Sequence, residues 1–83
     1  NVRETYSLYE VGKAQIVSGQ EEEGLATLER VLDIVTESDS KDFDFIIEIE
    51  RKMATVLHKL GRDNEAKEIE RRVAAVAEIV EED

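Results

Sequence analysis

A glycine-centred segment occurs twice in this chain, and it constrains the fold more than any other feature. Residues 17–25 (VSGQEEEGL) recur 42 positions later as residues 59–67 (KLGRDNEAK), with Gly19 aligned on Gly61. Helices commonly end at a glycine, because glycine enters the left-handed backbone region at little steric cost. Each copy therefore predicts a helix, a turn and a second helix. A repeated helical hairpin is the structural unit of a solenoid.

The composition fits a small helical domain and narrows the range of partners. The chain has 83 residues, no proline, 39% charged residues and a formal net charge of −10. One domain of this size has a core of limited stabilising power. The acidic charge disfavours nucleic acids and anionic membranes, because both require a basic surface. We therefore expect a protein or peptide partner, with some preference for basic patches.

Signatures of catalysis and of cofactor binding are missing from the sequence. There is no cysteine and a single histidine, His58, so neither a thiolate metal site nor a nucleophile–histidine pair is predicted. An EF-hand loop read from Asp39 places Lys41 and Phe43 at ligand positions, which is incompatible with calcium binding. We expect no enzymatic activity, no cofactor and no metal site.

The same sequence features bear on cellular location. No apolar run approaches the roughly 20 residues that span a bilayer, and no secretory signal is visible. The absence of cysteine fits a reducing compartment. The chain begins with Asn1 rather than methionine, so we expect it to be a piece of a longer protein. The expected location is intracellular, without membrane insertion.

Apolar residues at helical spacing predict two helices in the first half of the chain. The first spans about residues 3–18, with Asn1 as its N-cap, and the second about residues 21–37. In the first helix, Leu8, Val11, Gly12 and Gln15 lie on one face. Tyr6, Tyr9, Lys13 and Ile16 lie on the adjacent face. The apolar stripe of the second helix consists of Leu25, Leu28, Val31, Leu32 and Val35.

The second half predicts two more helices. The third spans about residues 42–60, is capped by Ser38, Asp39 or Ser40, and is expected to be the most buried. Its apolar positions are Phe43, Phe45, Ile46, Ile47, Ile49, Met53, Val56, Leu57 and Leu60. The fourth spans about residues 64–82, with Asp63 as its cap. Its stripe consists of Ile69, Val73, Val76 and Val80, and Ala74, Ala75 and Ala77 allow close packing.

The turn glycines Gly19 and Gly61, together with residues 60–66 (LGRDNEA), resemble the tetratricopeptide repeat family. In that family a small residue of the first helix packs against a small residue of the second, because two helix backbones approach closely only where the side chains between them are small. The resemblance implies that these pairs are Gly12 with Gly24, and Ala54 with Ala66.

The resemblance covers nearly the whole chain as two repeats, about residues 3–37 and 42–82, in a single domain. It implies an all-α fold of four helices, in which two antiparallel helical hairpins stack as a segment of a right-handed solenoid. The offset of 42 exceeds the usual period of about 34 residues and resembles the longer repeat of the kinesin light chain type. The chain departs from the family pattern at Glu50 and Glu70, where large apolar residues are expected, and in lacking the proline that commonly ends a repeat.

The resemblance implies a non-catalytic scaffold for protein–protein interaction. In this family the first helix of each hairpin lines a concave face that binds a partner peptide. In this chain that face would carry Tyr6, Tyr9, Lys13, Ile16, Glu48, Arg51, Thr55 and His58. Aromatic and arginine side chains commonly dominate binding energy at such surfaces. Alternatively, the two tyrosines close the N-terminal end of the core.

Two other functions remain open from the sequence. The chain can be a homo-oligomer, a self-associating structural bundle without a peptide ligand. It can also be a regulatory subunit that docks on an enzyme through an outer face. Sedimentation over a series of concentrations separates self-association from the scaffold.

Overall fold

The computed structural model describes residues 2–39 and 41–81 of the chain and consists of four helices. Helix α1 spans Val2–Val17, α2 spans Glu21–Glu37, α3 spans Phe43–Lys59 and α4 spans Asp63–Glu81. No strand occurs among the described residues. The all-α class and the four predicted helices are therefore confirmed.

Some predicted features fall outside the part that the structure describes. These are the N-cap Asn1, the alternative cap Ser40, the helix end at Glu82 and the side chain of Val80.

The chain separates into two compact units, residues 1–41 and residues 42–83, and each contains one helical hairpin. In the first unit α1 packs on α2, and in the second α3 packs on α4. The helices of the first hairpin are antiparallel, because Gly12 faces Leu28 whereas Ile16, further along α1, faces Gly24, earlier in α2.

The turn of the first hairpin is a Schellman motif centred on Gly19. Its φ of 93° lies in the left-handed region. The Gly19 amide donates to the Ile16 carbonyl at 3.2 Å, and the Gln20 amide donates to the Gln15 carbonyl at 2.8 Å. These two bonds satisfy carbonyls that the end of a helix otherwise leaves unpaired.

The turn of the second hairpin repeats this geometry at Gly61, where φ is 79°. The Gly61 amide donates to the His58 carbonyl at 3.1 Å, and the Arg62 amide donates to the Leu57 carbonyl at 2.8 Å. Each atom pair is the counterpart, 42 residues on, of a pair in the first turn. The repeat found in the sequence is thus also a repeat of backbone structure.

The helices of the first hairpin cross closely at Gly12 and Gly24, as predicted. A Cβ atom added at Gly24 would lie 2.8 Å from the Gly12 carbonyl oxygen and 3.1 Å from the Ile16 amide nitrogen. At 2.8 Å the added atom would overlap the Gly12 carbonyl oxygen, so any side chain at Gly24 requires the helix backbones to move apart. At the corresponding positions of the second hairpin, Ala54 and Ala66 are both buried.

The predicted apolar stripes of α2 and α3 form most of the described core. Leu25, Leu28, Val31 and Val35 are buried in α2, and Leu32 is partly buried. Helix α3 contains eight buried residues against five in α2, so it is the most buried of the described helices. Phe43 was predicted in its stripe but is 47% exposed, because it lies in the first turn, before the buried positions begin.

The remaining stripe lies on α4. Ile69 and Val73 are buried, whereas Val76 is partly buried. Of the three alanines predicted to allow close packing, Ala74 and Ala75 are exposed and only Ala77 is partly buried.

The face of α1 that holds Leu8, Val11, Gly12 and Gln15 is only partly buried. Val11 is 49% exposed, whereas Thr5, Tyr9 and Gly12 are buried. The close approach at Gly12 turns the buried face toward Tyr9 and away from Val11, which lies more than a quarter turn from this stripe.

Two predicted caps are also corrected. Asp42 caps α3, because its Oδ1 accepts a hydrogen bond from the Phe45 amide at 3.1 Å, so neither Ser38 nor Asp39 has this role. Asp63 is the first residue of α4 rather than the residue before it, and its carboxylate contacts His58.

Candidate functional site

The predicted binding residues of α1 differ in their exposure. Tyr6 is exposed, whereas Tyr9 is only 4% exposed and belongs to the core of the first hairpin. The Lys13 ammonium lies 4.6 Å from the centre of the Tyr9 ring and 2.9 Å from the Glu10 carboxylate. The Tyr9 ring therefore makes a cation–π contact with the Lys13 ammonium.

Ile16, the fourth predicted residue of α1, lies at the helix crossing. Its side chain fills the space that a Cβ atom at Gly24 would need, with Cγ1 only 2.5 Å from that position. It is partly buried. Ile16 thus packs the two helices together and offers only part of its surface to solvent.

The corresponding face of α3 is polar and more open. Glu48, Arg51 and Thr55 are all exposed. The Thr55 hydroxyl donates to the Arg51 carbonyl oxygen at 3.0 Å, one turn back along the helix. Of these three residues, Arg51 carries a positive charge and Glu48 a negative one.

His58, the last predicted binding residue, is engaged by α4. Its Nδ1 lies 2.6 Å from Asp63 Oδ1, and its Nε2 lies 3.2 Å and 3.3 Å from the two carboxylate oxygens of Glu70. These hydrogen bonds, first that to Asp63 and then that to Glu70, raise the pKa of His58 above its ordinary value. His58 therefore joins the two helices of its hairpin.

Two residues that the sequence interpretation did not place together form an ion pair in the second hairpin. Glu50 is 5% exposed, and Arg72 Nε lies 3.6 Å from its Oε2. Burial raises the pKa of Glu50, and the Arg72 charge offsets part of that rise. A buried carboxylate requires such a partner, because the charged form loses its hydration.

The repeat contains the signal that could have found this pair. Glu50 stands 42 residues after Leu8, and Arg72 stands 42 residues after Arg30. The second copy thus has Glu50 where the first has Leu8, while both copies keep an arginine on the partner helix. This combination indicates an ion pair between the two helices of the second hairpin. Glu70, the other departure from the apolar pattern, likewise has a polar partner, His58.

The first hairpin has an open pocket at the position equivalent to the Glu50–Arg72 pair. Its volume is about 300 Å³, and it is lined by Glu4, Thr5, Leu8, Arg30 and Ile34. Leu8 and Ile34 supply apolar surface, and Arg30 and Glu4 supply one charge of each sign. The position that the Glu50–Arg72 ion pair occupies in the second hairpin is thus an open cleft in the first hairpin.

Within residues 2–39 and 41–81, no group of three or more histidine, aspartate or glutamate side chains is arranged to hold a metal ion. None of the described helices is long and apolar enough to cross a membrane.

Comparison with known proteins gives no relative for this chain. No protein-family model, no curated protein and no solved structure matches it.

Proposed function

We propose that this chain is a non-catalytic scaffold segment that binds a protein or peptide partner. In this proposal the two hairpins are tetratricopeptide-like repeats, stacked as a segment of a right-handed solenoid with a concave binding face. The supporting observation is the duplicated turn, in which the bonds at Gly19 recur at Gly61. Duplication of a hairpin in sequence and in backbone geometry is typical of repeat proteins, which commonly serve as binding scaffolds.

The exposed residues on the first helix of each hairpin define the proposed surface. They are Tyr6 on α1 and Glu48, Arg51 and Thr55 on α3, and the partly exposed Lys13 on α1 lies beside them. Tyrosine supplies rigid apolar area with a polar end, and arginine can bind a carboxylate through two parallel hydrogen bonds. Tyr9 and Ile16 support this surface from within the hairpin, and His58 is occupied by its own carboxylate partners.

The charge of the chain indicates the chemistry of the partner. A formal net charge of −10 attracts segments of net positive charge and speeds their association. The partner we propose is therefore a basic peptide segment, with an acidic side chain or a carboxylate terminus available to Arg51.

Selection from a random peptide library on the immobilised chain tests the proposal. Peptides that bind are then measured by calorimetry against Tyr6→Ala and Arg51→Ala. We expect each substitution to weaken binding about tenfold or more, a loss of about 1.4 kcal/mol. Glu29→Ala and Arg71→Ala change exposed charges on α2 and α4, and we expect them to leave the affinity nearly unchanged. Circular dichroism checks that helical content is retained.

Two outcomes of this experiment favour other functions. If Glu29→Ala and Arg71→Ala abolish binding while the first-helix variants bind normally, the chain docks through its second helices. If no peptide is enriched and the sedimentation coefficient rises with concentration, the chain is a self-associating bundle.

A further inference from the structure

The end of α3 is connected to the start of α4 through the two ring nitrogens of His58. Asp63, in the first turn of α4, lies against Nδ1 at 2.6 Å, and Glu70, two turns further on, lies against Nε2 at 3.2 Å. One imidazole thus bridges two carboxylates seven residues apart on the neighbouring helix.

This arrangement is complete in only one protonation state of the ring. A neutral imidazole carries a single N–H, so one of the two carboxylates would face a lone pair. The imidazolium carries an N–H on each nitrogen and can donate to Asp63 and Glu70 at once, through charge-assisted hydrogen bonds. Loss of the proton therefore breaks one bond and weakens the other.

Two cations, Lys59 and Arg62, stand next to His58 and Asp63 in the sequence. Arg62 pairs with Glu65 through two bonds, from Nε at 2.6 Å and from Nη2 at 2.8 Å. Lys59, which follows His58 in α3, is exposed. On α4, the carboxylates of Asp63 and Glu70 bond to the ring.

We propose that His58 is a proton-operated clamp, which fastens α3 to the first turns of α4 and makes the second hairpin more stable at mildly acidic than at alkaline pH. The pKa of His58 is raised in the folded chain by its bonds to Asp63 and Glu70. A raised pKa means that the folded state binds the proton more tightly. The added stability is complete below the ordinary pKa of about 6.5 and is lost as the pH rises through the folded value.

The first hairpin contains no counterpart of this clamp. The residues 42 positions before His58 and Glu70 are Ile16 and Leu28, which are apolar. The clamp therefore belongs to the second hairpin.

Nuclear magnetic resonance titration of the imidazole tests the clamp, and His58 is the single histidine of the chain. We expect its midpoint to lie above about 6.5 in the folded protein. Asp63→Asn and Glu70→Gln should each lower it, and the double variant should bring it to about the ordinary value. Glu68→Gln removes the same charge from an exposed position of α4 and should shift the midpoint less than either.

Thermal unfolding provides an independent measurement on the full chain. Between about pH 6 and pH 9, Tm of the parent should fall more steeply than Tm of His58→Gln, which has no titrating ring. A midpoint at or below 6.5, or one that Asp63→Asn and Glu70→Gln move no more than Glu68→Gln does, overturns the clamp. Equal pH dependence of Tm in the parent and His58→Gln overturns its effect on stability.

Discussion

Glu50 is a single residue that makes the core of the second hairpin differ from that of the first. In the first hairpin the equivalent residue is Leu8, and in the second a carboxylate is 5% exposed beside Arg72. Removing a carboxylate from water costs several kcal/mol, which one partner at 3.6 Å repays only in part. Glu50 is therefore a site where the sequence departs from the most stable choice.

Glu50→Leu should stabilise the chain at neutral pH. Replacing both members of a buried ion pair by apolar side chains of similar volume is often neutral or stabilising by about 1–4 kcal/mol. Arg72 is 59% exposed and remains hydrated when its partner is removed. The measurement is the free energy of unfolding in urea.

The difference in unfolding free energy between Glu50→Leu and the parent chain should also depend on pH, which gives a second check. Because burial raises the pKa of Glu50, the folded state favours its protonated form. Its stabilising contribution is present below the ordinary pKa and is lost as the pH rises through the folded value. The advantage of Glu50→Leu should therefore grow between about pH 4 and pH 7. Glu48→Leu, at an exposed position of the same helix, should change stability by less than about 0.5 kcal/mol. Equal effects at both positions would contradict the burial of Glu50.

The crossing of α1 and α2 depends on two glycines that are not equivalent. A Cβ atom at Gly24 meets backbone atoms of α1 at 2.8 Å and 3.1 Å, whereas one at Gly12 meets the flexible end of Leu28 at 3.0 Å. A side-chain tip can move aside, but helix backbone moves only if the whole crossing opens. The two glycines should therefore respond differently to the same substitution.

Gly24→Ala should destabilise the first hairpin more than Gly12→Ala does. Both changes gain about 1 kcal/mol of helix propensity. At Gly24 overpacking costs about 1–3 kcal/mol and outweighs this gain. At Gly12 the displacement of Leu28 is smaller, so we expect a change near zero. Urea unfolding of the two variants measures the difference. If Gly12→Ala is the more harmful, Gly24 is not the point of closest approach of the two helices.

The charge of the whole chain opposes its folding. The chain has twenty-one acidic residues and eleven basic ones. Like charges repel more strongly in a compact state than in an unfolded one. Salt screens this repulsion, since the Debye length falls from about 30 Å at 0.01 M to about 3 Å at 1 M.

Tm at pH 7 should rise by several degrees when NaCl is raised from about 0.01 M to about 0.5 M. For a domain of this size, 1 kcal/mol corresponds to about 4–8 °C in Tm. Near pH 4.5, where the net charge is close to zero, the same addition should have little effect. An equal rise at both pH values would show that salt acts through apolar burial rather than charge screening.

Much of the secondary structure was predictable, because its signals are local. Gly19 and Gly61 end helices through their own left-handed backbone, and the apolar spacing of residues 25–35 identifies the buried side of α2. The resemblance to tetratricopeptide repeats then added the pairing of Gly12 with Gly24. These features depend on residues within one or two helical turns, or on comparison of one copy with the other.

The sequence by itself thus determined four helices, two glycine turns and the equivalence of the two hairpins. Tertiary structure alone decided that Tyr9 rather than Val11 is buried, that Glu50 pairs with Arg72, and that His58 bridges Asp63 and Glu70. The physical reason is that periodicity defines which residues share a helix face, but not the rotation of that face against its neighbour. That rotation is set by the close approach of two packed helices, and it decides which polar side chains meet across them.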